Sequence, residues 1–271
     1  MRIAISGYRF PLRAMGLVSA LVLLAGACAP PGTPAVTPTE ATPTWDYVAL
    51  GDSVPAGYGV GGRSYVVYYA EHMEADLGVK VTVHNWGGGG LSSDGLLVML
   101  RNNQELRNAI SEAEVVTFYI GGNDEVGMEY LYRTGTCGGA DNLDCCRETL
   151  TSFSANYDAI IAEILSLRST TDAIIRTANL YFPFVNEHKE LGIYEDFKKH
   201  CHEAFSEHIV QAASEHNIPV ARVYLAFNGP NGDEDPTDKG YIQSDGEHPS
   251  EAGHRLIADL HRELGYEPLG P

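Results

Sequence analysis

The chain reads as an α/β protein, a three-layer sandwich in which helices cover both faces of a five-stranded, mainly parallel sheet. Three observations predict this. Short apolar runs of strand length recur along the chain; a segment with helical spacing follows most of them; and no internal repeat or second linker breaks the alternation after residue 45. The 227 residues from Trp45 to Pro271 suffice for one domain with a sizeable core.

Taken in order, Tyr47 to Leu50 forms a first strand that ends abruptly at Gly51-Asp52-Ser53. Ser64 to Leu77 carries Tyr65, Tyr68, Tyr69, His72, Met73 and Leu77 at helical spacing, and Gly78 stops it. Val79 to Val83 is strand two, followed by the glycine-rich stretch Asn85 to Ser93. Ser92, Ser93 and Asp94 can cap one helix running through Leu96, Leu97, Met99 and Leu100 toward Ile110. Strand three, Val115 to Phe118, leads into Tyr119-Ile120-Gly121-Gly122-Asn123-Asp124, and residues 125 to 146 then break the rhythm as an insertion. A helix from Arg147 to Arg168, a strand from Ala173 to Leu180, a helix from Tyr194 to His216 and a fifth strand from Val220 to Phe227 complete the alternation. Pro249 suits the first turn of a last helix, Ser250 to Leu264.

Ahead of this domain, Arg2, Arg9 and Arg13 precede an apolar run from Ala14 to Ala27, the shape of a secretory signal peptide over residues 1–27. The run is shorter than the roughly 20 apolar residues a membrane helix needs. Leu24-Ala25-Gly26-Ala27-Cys28 resembles a bacterial lipobox, with Ala25 where a larger aliphatic is commoner. Cys28 is therefore the expected lipidation site, and an ordinary signal peptide cut nearby is the alternative. Residues 28–44 are mostly Pro, Thr and Ala, a composition that forms a tether rather than a core. The expectation is an exported protein that meets the membrane only through an N-terminal lipid anchor.

Lys and Arg total 18 against 36 Asp and Glu, a net charge of −18 that repels phosphate backbones and argues against nucleic acid as a partner. The acidic stretch from Asp233 to Asp238 fits no EF-hand spacing and reads as a solvated loop rather than a calcium site.

The glycine-acid-serine, glycine-rich and Gly-Asn-Asp segments follow strand ends, and Asp245-Gly246-Glu247-His248-Pro249 stands at the mouth of the last helix. Each alone is ordinary turn chemistry. Together, in this order, they resemble the SGNH, or GDSL, hydrolase family over most of the chain after residue 45. The resemblance implies a flavodoxin-like SGNH hydrolase fold and a serine esterase without metal or cofactor. It implies Ser53 as nucleophile, with the Ser53 and Gly90 backbone N–H groups and the Asn123 amide as an oxyanion hole. The run of four glycines leaves Gly88 and Gly89 open for the second donor. An alcohol needs a base, for which His248 is the candidate, and Asp245 three residues earlier can fix its tautomer. Asp52 and Asp124 are expected to pin their own loops, and the other nine histidines to be surface or satisfied residues.

Besides Cys28, Cys137, Cys145, Cys146 and Cys201 form an even set in an exported domain, where disulfides persist. Adjacent Cys145 and Cys146 should each bond elsewhere, one to Cys137 and one to Cys201; the pairing stays open, and a metal site is the alternative. Either pairing ties the insertion to the helix holding Cys201, and so shapes one wall of the substrate cleft. The expected function is hydrolysis of acyl esters of the lipase or esterase type by a monomer. Removal of acetyl groups from cell-surface or environmental glycans is a second reading within enzymes. A tethered surface binding protein without chemistry is the reading from another class.

Overall fold

A computed structural model describes residues 42–270. The lipobox-like stretch and Cys28 lie outside the described residues. Five parallel strands, β1 (Thr44–Gly51), β2 (Lys80–Gly87), β3 (Val115–Tyr119), β4 (Ile174–Ala178) and β5 (Val220–Ala221), form one sheet in the order β2-β1-β3-β4-β5. This is the flavodoxin-like order, which places a ligand crevice where the chain switches direction between β1 and β3.

The helices are α1 (Ser53–Ala56), α2 (Tyr65–Leu77), α3 (Ser93–Asn102), α4 (Gln104–Glu112), α5 (Gly122–Arg133), α6 (Asp144–Leu167), α7 (Val185–Glu190), α8 (Tyr194–Phe197), α9 (Glu203–Glu215), α10 (Val223–Asn228) and α11 (Glu251–Glu263). A π turn, Lys198–His202, joins α8 to α9. Helix α2 packs against α11, while α3, α6 and α9 pack in series. The two groups cover opposite faces. Tyr47 of β1 meets Tyr69 of α2, whereas Phe118, beside Leu50 in register, meets Tyr157 of α6. Positions three apart on a strand point to opposite faces. All of these side chains are buried, and each contributes on the order of 1.5–3 kcal/mol by leaving water.

Four sequence expectations change. The helix expected from Ser92 toward Ile110 is two helices, because Asn103 turns extended and its side chain accepts from the N–H groups of Glu105 and Leu106, starting α4 anew. Strand five stops at Ala221. Beyond it Val223, Tyr224 and Phe227 are buried while Leu225 is exposed, a helical period that short apolar runs do not disclose, and Asn179 Oδ1 accepts the Tyr224 N–H at the helix start. Pro249 lies one residue before the cap; Ser250 accepts from the Gly253 N–H and starts α11. The insertion begins as a helix, α5, and thereby becomes a wall of the cleft.

Candidate active site

Sheet register explains why distant segments meet. Gly51 at the end of β1 pairs with Gly87 of β2 on one side and Tyr119 of β3 on the other, so the residues that follow each strand leave the sheet at one level. Gly51 takes φ +135°, and a Cβ there would stand 1.8 Å from the Tyr119 carbonyl oxygen, so no other residue fits the turn that delivers Ser53. Asp52 caps α1 by accepting the Val54 N–H at 2.9 Å. Burial pushes its carboxyl up to about 7 against that hydrogen bond.

Ser53 meets the loop before α11. With His248 protonated on Nδ1, the Ser53 hydroxyl donates to His248 Nε2 at 2.9 Å, and Nδ1–H donates to Asp245 Oδ2 at 2.9 Å. The other Asp245 oxygen accepts the backbone N–H groups of Glu247 and His248, each at 3.0 Å. Partial burial pushes the Asp245 carboxyl up, but those N–H groups and the imidazole outweigh it and hold the pKa below the usual carboxylate value. The loop is clamped from outside: the Tyr181 hydroxyl donates to the Glu247 carbonyl, Gln243 N–H donates to the His248 carbonyl, and the Tyr58 ring lies 4.5 Å from the imidazole.

The glycine-rich segment and the Asn123 segment are tied to each other and to Ser53's turn. Asn85 donates to the Pro55 carbonyl and accepts from Gly87 N–H. Gly88 donates its amide to the Gly51 carbonyl at 2.9 Å. The Gly88 N–H is thus engaged in structure, while among the described residues the amides of Gly89 and Gly90 donate to no protein acceptor. Gly90 lies in the left-handed region at φ +75°. Asn123 donates one side-chain N–H to the Leu91 carbonyl at 2.9 Å, which leaves its second N–H unengaged in a side chain that lines the cleft. Asp124 does not hold its own loop. It accepts from the Ser93 N–H and hydroxyl, fixing the start of α3 from across the site.

Cys137 pairs with Cys145, and Cys146 with Cys201. Successive residues at the start of α6 thereby reach two different neighbours, and the loop after α5 and the π turn are held against α6. Of the histidines expected to be surface or satisfied, His261 departs: it is buried between Tyr65 and Tyr69 and neither ring nitrogen has a partner. His188 and His202 are buried and face Glu129 and Glu125. Sequence reasoning missed Tyr181, Gln243 and these two glutamates as residues of the site. The spacing of Glu125 and Glu129, one helical turn apart just after Asn123, was the only signal available.

A family model described as GDSL-like Lipase/Acylhydrolase matches residues 49–256, a span that begins inside β1 and ends after His248. The chain belongs to this family. Membership makes it a carboxylic ester hydrolase. Relatives include the spore germination lipase LipC of Bacillus licheniformis, 26% identical over 83% of this chain and 99% of the relative. The uncharacterized protein YpmR of Bacillus subtilis is 30% identical over 66% of this chain and 70% of its own. Among solved structures, the lipase Lip_vut3 from a goat rumen metagenome aligns at TM-score 0.69 and 26% identity, covering 83% of this chain and 99% of that one. The acetylxylan esterase Axe2 of Geobacillus stearothermophilus shares the fold at TM-score 0.57 and 21% identity, covering 83% and 96%.

Proposed function

We propose that the protein is an exported serine esterase in which Ser53 attacks the ester carbonyl, His248 takes and returns the proton, and Asp245 orients the imidazole and stabilises its protonated form. The observation that carries this reading is the unbroken hydrogen-bond chain from Asp245 through His248 to Ser53, 2.9 Å at each step. Such a chain turns a weakly nucleophilic alcohol into a reactive one. As the carbonyl becomes tetrahedral, its oxygen gains charge. The Ser53 N–H, the Gly90 N–H and the second Asn123 amide N–H are the donors assigned to it, and their being without protein acceptors supports that role. His248 then protonates the departing alkoxide, and water repeats the sequence on the acyl enzyme.

Export and anchoring belong to the same proposal. Residues 1–27 act as a signal peptide, Cys28 carries lipid and residues 28–44 tether the hydrolase domain, residues 45–271. Among the described residues no helix is long and apolar enough to cross a membrane. Intact-mass analysis of the mature chain should find Cys28 as an acylated N-terminus; an unmodified Ala29 or a later start rules out the anchor. The chemistry is tested by assaying chromogenic esters of increasing acyl length beside acetate release from acetylated sugars. Hydrolysis that disappears in Ser53→Ala supports the reading, and hydrolysis that persists at the wild-type rate removes Ser53 as nucleophile.

A further inference from the structure

The cleft beside Ser53 has a second wall that the proposed reaction does not use. Helix α5 presents Glu125 and Glu129, one turn apart, to the pocket that Ser53, Asn123 and His248 also line. Facing them are Tyr181, Phe182 and Phe184 of the segment after β4, with Glu247 beside His248. Among the described residues no Lys or Arg lines this pocket. Both glutamates are 95% buried, at 5% exposure each. In each, Oε1 is engaged: Glu125 accepts from His202 Nδ1 at 2.6 Å, and Glu129 accepts from His188 Nε2 at 2.8 Å and pairs with Arg133 Nε at 3.0 Å. Among the described residues neither Oε2 accepts a hydrogen bond from the protein, and neither is sealed away from solvent.

These two oxygens are acceptors only, with no hydrogen to offer. A hydrocarbon chain entering here would strip water from both and return nothing, and a buried acceptor left unpaired is penalised strongly. A group carrying O–H or N⁺–H/N⁺–CH₃ meets them favourably, with aromatic faces opposite. Which part of the ester lies here follows from the reaction. His248 returns the proton to the leaving oxygen, so the alcohol portion leaves on the side of His248 and Glu247, both of which line this pocket.

We infer that Glu125 and Glu129 select esters whose alcohol portion bears hydrogen-bond donors or positive charge, a hydroxyl-rich or ammonium-bearing group, over plain alkyl alcohols. This rests on the proposed esterase chemistry at Ser53. His202 holds the Glu125 carboxylate in place from behind, and His188 with Arg133 that of Glu129. The pairing partners are far away in sequence, 77 residues for Glu125 and His202 and 59 for Glu129 and His188.

The experiment compares three acetates that share one acyl group: butyl acetate, glyceryl monoacetate and acetylcholine, each rate normalised to alkaline hydrolysis. The full chain should show kcat/KM at least about tenfold higher for glyceryl acetate or acetylcholine than for butyl acetate. Glu125→Gln and Glu129→Gln should each shrink that ratio several-fold, mainly through KM. A preference for ammonium collapses in both, because the charge is gone, whereas a preference for hydroxyl is partly kept, because the amide oxygen still accepts. That difference separates the two alcohol classes. Equal normalised rates for all three esters in the wild type, or variants that slow all three by one factor, overturn the inference and leave the glutamates a structural role. If no ester is hydrolysed, the proposed chemistry fails by itself. Saturation-transfer NMR of the same three esters with Ser53→Ala then decides the inference, with butyl acetate binding as well as the others counting against it.

Discussion

The two walls of the cleft are built differently. One is made by turns at the ends of β1, β2 and β3 and by the loop before α11, and turns in it are braced from within by hydrogen bonds two or three residues long: Asp52 to Val54, Asn85 to Gly87, Asp245 to His248. The other is made by α5 and the segment after β4, held by buried histidine–glutamate hydrogen bonds across 59 and 77 residues and by two disulfides. The groups proposed to carry the chemistry sit in short motifs near strand ends and the last helix, whereas the groups proposed to set selectivity are held by partners distant in sequence.

The difference predicts that the walls fail in different ways. Ser53→Ala should lower kcat by a factor on the order of 10⁴–10⁶ while the thermal transition stays close to wild type, since triad members act as a unit. A variant whose melting temperature falls in step with its activity would put Ser53 in the structural class instead. On the second wall the order reverses. Replacing Cys146 and Cys201 by alanine opens a bridge spanning 55 residues and should lower stability by about 4 kcal/mol, against about 2.5 kcal/mol for the 8-residue bridge of Cys137 and Cys145. Denaturant titration checks the ranking, and a larger loss from the shorter bridge contradicts it.

Asn123 sharpens the comparison because it belongs to the first wall and also ties it together through the Leu91 carbonyl. If its free N–H serves the oxyanion, Asn123→Ala lowers kcat by about 10²–10³, roughly 2.7–4 kcal/mol, with a smaller effect on KM. A near-normal kcat with a lowered melting temperature would assign the side chain to the turn alone.

The smallest effect at neutral pH comes from buried titratable groups, of which His254 and His261 lie away from both walls. Burial lowers His254 to about 4 and His261 to about 3, with the His248 and Arg176 charges adding in turn. An unfolded chain binds protons on these rings below about 6.5 that the native state refuses, so both weaken the fold as pH falls from there toward 4 and 3. Asp52 works in the opposite sense: its raised pKa makes the folded state gain stability as pH falls from about 7 toward 3.8. His261→Phe keeps the stacking against Tyr65 and Tyr69 and removes two unpartnered nitrogens. Stability at pH 7 should hold or rise by about 1 kcal/mol. Between pH 6.5 and 4 the acid slope should ease by up to about 1.4 kcal/mol per pH unit. An unchanged slope would mean the ring is hydrated and titrates normally.

What the sequence disclosed follows the same division. Strand runs, the Gly78 stop and the four motif segments were legible because each is a local pattern whose residues answer to their immediate neighbours. Asn103 was hidden because one cap can split a continuous apolar period. Strand five was overextended because Val-Ala-Arg-Val-Tyr-Leu-Ala-Phe satisfies both strand and helix spacing, and only Asn179, more than forty residues earlier, starts the helix there. Glu125 and His202 could not be joined on paper. The cysteines were recognisable as a set, yet which of Cys145 and Cys146 faces Cys201 depends on how α6 is rotated about its own axis.

The central claim is that Asp245, His248 and Ser53 act as one nucleophilic unit. Intact-mass and peptide mapping after exposure to a fluorophosphonate tests it most directly, because the reagent marks only a serine whose proton is being taken. The account predicts one adduct per folded chain, on the peptide containing Ser53, absent in Ser53→Ala and strongly slowed in His248→Ala. An adduct on any other residue, or full-rate labelling of Ser53 without the imidazole, would contradict it.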